Sequence, residues 1–134
     1  MIGFIKGRIT VSKKIGSSPD RLWRIITDTA LWPVWGPSVS SVDCKSKYIN
    51  CGSSGVVKTV IGLRVPFTIT SYCPLKFWSW RVGGVEATGH QIEVMNDGSC
   101  RLIFDMPWWA FPYSFICWLA LQRIARLSDS AISV

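Results

Sequence analysis

Apolar and polar positions change rhythm three times along this chain. Over residues 4–15, "FIKGRITVSKKI", Ile9 and Val11 alternate with Arg8, Thr10 and Ser12, a period of two that predicts one half-buried strand. "SSPDRLWRIITD" then opens a helix. Ser18 suits the N-cap, Pro19 fits the first turn and Asp20 complements the positive end of the helix. Leu22, Trp23, Ile25 and Ile26 supply its buried side. The helix can run only to about Asp28, because "DTALWPVWGP" follows with Pro33 and Pro37. These lack an amide donor and push the residues before them toward extended geometry, leaving room for no more than a brief turn around Leu31.

From Val39 to Met106 the rhythm is strand and turn. "VSSVDCKSK" and "GVVKTVI" flank the polar turn region "YINCGSS". "RVPFTITSYC" alternates Val65, Phe67 and Ile69 with Arg64, Thr68 and Thr70, and its Pro66 predicts a bulge or a sheet edge. "KFWSWRV" places Trp78, Trp80 and Val82 on one face, with Arg81 on the other. "EATGHQIEVM" puts Thr88, His90, Ile92 and Val94 together and turns Glu93 outward. "NDG" is a hairpin turn leading to Leu102, Phe104 and Met106. The last segment, about Trp108 to Leu127, switches to helical spacing, with Trp109, Tyr113, Ile116, Cys117, Ala120, Ile124 and Leu127 in one apolar stripe. Arg123 and Arg126 lie near its C-terminal end, where the helix dipole favours cations. Residues 128–134, "SDSAISV", read as a frayed tail.

Strand, short helix or helices, about six strands and one long helix describe an α+β protein. The matching architecture is a curved antiparallel sheet with the long C-terminal helix across its concave face, in one domain spanning 1–134. Composition sharpens this picture. The chain is 49% hydrophobic and 17% charged, with eight Trp, six Phe and three Tyr, so its large rings either form a dense core or line a cavity. Its +7 charge is scattered (Lys6, Arg8, Lys13, Lys14, Lys45, Lys47, Arg123, Arg126) without a basic stripe or nucleic-acid motif, and no nucleic acid is expected as a partner. Five cysteines, with no CxxC pair and a single distant His90, fit neither a disulfide framework nor a metal site. Reduced, mostly buried thiols and a cytoplasmic location are expected, since the N-terminus has no apolar core of signal-peptide length.

At this point a resemblance enters. "SSPDRLWRIITDTALWPVWGPSVSSV", residues 17–42, resembles the N-terminal pattern of the polyketide cyclase/dehydrase and lipid-transport superfamily, the START-like and Bet v 1-like helix-grip proteins. "ITSYCPLKFWSWRV" resembles that family's strand, Pro turn and strand with an inner Trp, and "TGHQIEVMNDGSCRLIF" its later hairpin. The likeness covers roughly residues 8–127. It implies a hollow interior that takes a hydrophobic or amphipathic small molecule, and it transfers no catalytic residue and no cofactor. In such a fold Trp32 and Trp35 lie near the mouth between sheet and helix, where they either line the interior or plug the end of the core.

The cavity candidates are Trp35, Phe67, Trp78, Trp80, His90, Phe104, Tyr113 and Cys117. His90 alone titrates near neutral pH. It can orient a ligand or act as acid/base, or it can be a hydrogen-bonded core histidine. Tyr72 and Tyr113 are candidate cavity hydroxyls, Tyr113 the better placed, and Asp28 fits a backbone-capping role at the helix end. Glu86, Glu93, Asp97 and Asp105 form no paired-carboxylate pattern. A ligand-binding protein is therefore the first expectation, and a cofactor-independent cyclase or dehydratase using His90 is the alternative. "MPWWAFPYSFICWLAL" carries no charge but is too short for a span. Its Trp108, Phe111, Phe115 and Trp118 fall off the inner stripe, which points to a homodimer contact first and a membrane-surface contact second.

Overall fold

The computed structural model describes residues 2–5 and 7–129. Its strands are β1 (Ile2–Ile5), β2 (Arg8–Ile15), β3 (Val39–Cys44), β4 (Ser54–Thr59), β5 (Arg64–Cys73), β6 (Phe77–Val82), β7 (Val85–Val94) and β8 (Cys100–Pro107). They form one antiparallel sheet in the order β1-β2-β8-β7-β6-β5-β4-β3. Two short helices, α1 (Pro19–Thr27) and α2 (Trp32–Trp35), carry the chain from β2 to the far edge at β3. From there the strands meander back until β8 pairs with β2. A 3-10 segment (Trp108–Tyr113) leads into α3 (Ser114–Asp129), which packs on β2, α1 and α2 inside the curve of the sheet. The fold is α+β, as the order of elements predicts.

Local chemistry explains α1. The Ser18 hydroxyl oxygen accepts from the Arg21 amide at 3.2 Å, and Leu22, Ile25 and Ile26 are fully buried. The other end is closed by the Trp-Pro loop. An α-helix leaves its last four carbonyls without helical partners, and here all four are met. Arg24 O accepts from the Asp28 amide (3.0 Å) and Thr27 O from the Ile49 amide (3.1 Å). Ile25 O accepts from the Trp35 indole (3.1 Å) and Ile26 O from the Trp32 indole (3.0 Å). Asp28 itself accepts from the Ala30 amide, the backbone role expected of it.

Several expectations need correction. Residues 4–15 are not one strand: Gly7, at φ 75°, turns β1 back onto β2 with Ile5 opposite Arg8. Pro66 marks neither an edge nor a bulge, since β5 is internal and Pro66 pairs regularly with Val56. Its backbone faces the Gly83–Gly84 turn where β6 has ended, so its missing donor interrupts no ladder, and its carbonyl accepts from Gly83 at 2.8 Å. The long helix begins at Ser114 and not at Trp108. Pro112 cannot donate to the turn before it, and Ala110 leaves helical geometry (φ −89°, ψ 18°). Trp109 and Tyr113 therefore leave the close-packed stripe of the helix and border open space beside the sheet, while Leu121 joins Cys117, Ala120 and Ile124 in the core. Ser128 and Asp129 belong to α3 and are not tail; the remainder of that tail, 130–134, lies outside the described residues. The thiols are free, but only Cys100 and Cys117 are buried; Cys44 is half-buried and Cys51 and Cys73 are exposed.

Gly55 in β4 shows how closely the sheet edge packs. A methyl group there would press into the Asp43 carbonyl and stand 3.1 Å from the Phe67 ring. Gly55→Ala is expected to cost about 2 kcal/mol or more in urea unfolding, by overpacking. Gly52→Ala has open space and only a positive φ of 84° to strain, about 1 kcal/mol. Equal costs for the two would contradict this packing.

Candidate functional site

The concave side of the sheet holds two spaces of very different size. The smaller, about 40 Å³, sits among Trp32, Trp35, Trp78, His90, Phe104 and Cys117, and has room for a few waters at most. The larger, about 610 Å³, lies between β3–β8, the 3-10 segment and the start of α3. Trp80, Thr88, Ser38, Val39, Tyr113 and Ile116 border both.

An aromatic cluster separates filled from hollow interior. Trp32, 1% exposed, stacks on Trp78 (centroids 5.5 Å, planes 9° apart) and meets Phe67 and Trp80 at 5.4 and 5.2 Å. Trp78 also stacks on His90 at 3.8 Å, and Phe104 presents an edge to that imidazole at 4.7 Å. Trp35 leans on Phe104 at 5.9 Å. Such offset and edge-on contacts are the favourable geometries for rings with a negative face and a positive edge. Trp78 Nε1 is buried without a hydrogen-bond partner among the described residues.

His90 belongs to this cluster, and its hydrogen bonds fix its state. Nδ1 lies 3.3 Å from the Trp78 carbonyl, which can only accept, so Nδ1 carries the proton. Nε2 is then the acceptor for the Thr88 hydroxyl at 3.2 Å, and Thr88 in turn accepts from Trp80 Nε1 at 3.0 Å. Both ring nitrogens are occupied. Burial disfavours the imidazolium so strongly that the pKa falls to about 3, although the Trp78 carbonyl pulls it upward. Burial, with a smaller contribution from the Asp105 carboxylate, pushes the Cys117 thiol up to about 12, which removes it as a nucleophile near neutral pH.

The sequence candidates thus divide. Trp80 and Tyr113 border the large cavity; Trp35, Trp78, His90, Phe104 and Cys117 surround only the small void, and Phe67 lines neither. Tyr72 packs edge-on against Trp23 at 5.6 Å instead of facing the cavity. The Tyr113 hydroxyl shares a 2.8 Å hydrogen bond with Ser38 at the cavity rim. Sequence reasoning missed Val39, Val57, Val65, Val82 and Met106 in the wall. The signal available was size. Inward valines leave space that inward tryptophans fill. No cluster of three metal-ligating side chains occurs among the described residues.

This arrangement, a curved antiparallel sheet around a C-terminal helix with an apolar hollow between them, defines the class by fold. No protein-family model matches the chain, and no curated protein matches it. Solved structures do. Protein MLL2253 from Mesorhizobium loti superposes with a TM-score of 0.74 at 15% identity, covering 94% of this chain and 99% of that one. A Rhodobacter sphaeroides protein gives 0.72 at 14% identity over 98% and 99%, and protein XoxI from Bacillus cereus 0.71 at 12% over 92% and 96%. At these identities the likeness is one of fold. No helix among the described residues is long and apolar enough to cross a membrane.

The state of His90 has a pH signature. The unfolded chain binds a proton on this imidazole below about pH 6.5, whereas the folded chain resists it down to about 3. Between those values the unfolded state holds more protons, so this stabilisation is complete above pH 6.5 and is lost as pH falls. From pH 7.5 to 4.5 the wild type should lose about 3 kcal/mol more than His90→Gln in denaturant unfolding. As the only histidine, its ring proton resonances should not titrate between pH 8 and 4.5. A midpoint near 6.5 would show that the ring is hydrated.

Proposed function

We propose that this chain is a binding module for an uncharged hydrophobic or amphipathic small molecule, lipid-like or polyketide-like in character, held in the large cavity. One observation carries the reading: a hollow of about 610 Å³ is walled by Val39, Val57, Val65, Val82, Met106 and Ile116, and no charged residue lines it. A pocket of this size with apolar walls and few polar groups is typical of small-molecule sites. An ionised ligand would lose its hydration there with no counter-charge to replace it. Ser38, Thr59 and Tyr113 offer hydroxyls to a ligand that carries an oxygen function on an apolar body. The resemblance of residues 17–42 to the polyketide cyclase/dehydrase and lipid-transport superfamily supports the same reading.

The geometry favours binding over turnover. A cyclase or dehydratase using His90 as acid/base needs an imidazole nitrogen free to meet substrate. Here both nitrogens are hydrogen-bonded and the ring is buried within the aromatic cluster.

Trp80 and Trp109 stand in the wall and report occupancy. Tryptophan emission should respond saturably to fatty acids, fatty alcohols or polyaromatics, with a fatty alcohol binding more tightly than the ionised fatty acid of the same length. Val82→Phe and Ile116→Phe, which fill the hollow, should weaken binding roughly tenfold or more while the far-UV spectrum stays unchanged. Absence of a saturable response to every apolar ligand, or unaltered affinity in both variants, would refute the site.

A further inference from the structure

The outer face of the 3-10 segment and of α3 carries a second apolar feature, separate from the cavity. Trp108, Phe111 and Phe115 are 64%, 60% and 62% exposed, and Trp118 stacks on Phe115 at 6.1 Å. Trp108 and Phe111 also border a groove against Ile2, Gly3 and Ile9 of the β1–β2 hairpin. Monomeric proteins rarely leave so many large rings exposed on one short segment. The same short segment turns its other side, through Trp109, Ala110, Pro112 and Tyr113, into the large cavity.

Charge decides what fits this face. From Met106 to Asp129 the chain carries Arg123 and Arg126 against a single carboxylate, the exposed Asp129 that ends α3. Both arginines are on exposed turns of α3, and neither forms an ion pair among the described residues. At helical spacing, Arg126 falls on the side that bears Phe115, and Arg123 stands at the margin of that side, about 80° round from Phe115. The chain as a whole is +7, so a second copy would meet this face with the same sign of charge. An anionic surface would meet it with the opposite one. Tryptophan, with an apolar body and a polar N–H, is suited to the headgroup boundary of a bilayer, and each basic residue near an anionic leaflet strengthens attachment roughly fivefold.

We infer that the face formed by Trp108, Phe111, Phe115, Trp118, Arg123 and Arg126 docks on an anionic phospholipid surface. The rings enter the headgroup boundary and the arginines lie over lipid phosphates. The inference does not depend on what occupies the cavity.

Co-sedimentation with vesicles tests it, using phosphatidylcholine alone and phosphatidylcholine with roughly one third phosphatidylglycerol. The full chain should pellet with the anionic vesicles, shift its tryptophan emission to the blue, and be released as salt rises. Phe115→Ser/Trp118→Ser should lose binding to both vesicle types. Arg123→Gln/Arg126→Gln should lose roughly tenfold or more on the anionic vesicles alone and keep any weak binding to the neutral ones. Because all four side chains are exposed, the circular dichroism of each variant should match the wild type. Failure of the wild type to bind anionic vesicles overturns the inference. So does a wild-type dimer in sedimentation that Phe115→Ser/Trp118→Ser converts to monomer without vesicle binding, which would assign the face to self-association.

Discussion

Two indole N–H groups hold this molecule's interior in place. Trp32 and Trp35 donate to Ile26 O and Ile25 O, the carbonyls that α1 cannot pair within itself. A nine-residue helix is marginal in isolation, and a buried helix end with open carbonyls is costly. The same bonds fix both rings beneath α1, where prolines at 33 and 37 stiffen the backbone that carries them. The Trp-Pro segment Trp32–Trp35 is thus a helix cap made of tryptophan.

With the indoles anchored, the rest of the interior divides. Trp32 stacks on Trp78, and Trp78 on His90, so the space beside α1 and β6–β7 is filled by rings to within about 40 Å³. Beyond Trp80 the inward positions of β4, β5 and β6 are Val57, Val65 and Val82, each too short to reach α3. Pro112 delays the start of α3, and the 3-10 segment before it forms one wall of that gap through Trp109, Ala110, Pro112 and Tyr113. Hollow and plug thus follow from side-chain length and one proline. Neutral His90 is tolerated in the plug because its two nitrogens and the Thr88 hydroxyl satisfy one another and the Trp78 carbonyl.

Much of the fold was legible in the sequence because its signals are local. Ser18 as cap, the Asn96–Gly98 turn and the period-two strands each report their own backbone geometry, and the structure has them where the pattern put them. Three local signals were misread, Pro66 as a bulge or edge among them. Gly7 looked like a residue within a strand, and Pro112 was overridden by an apolar period that continued through it. The cavity was less legible, for a different reason. Large inward aromatics draw attention, yet Phe67, Trp78 and Phe104 are 2%, 0% and 2% exposed because they fill space. Trp80 and Tyr113 reach the hollow because they stand at the edge of the plug. The Ser38–Tyr113 bond joins residues 75 apart in sequence, a pairing that no periodicity carries.

A ring-filled plug and an apolar hollow coexist on one side of the sheet. Xenon-pressurised crystals test it most directly, since xenon enters empty apolar space and avoids filled core. The account predicts xenon between Val57, Val82, Met106 and Ile116, and none among Trp32, Trp78 and His90. Xenon within the aromatic stack, or a hollow closed by side chains with no xenon in it, would contradict it.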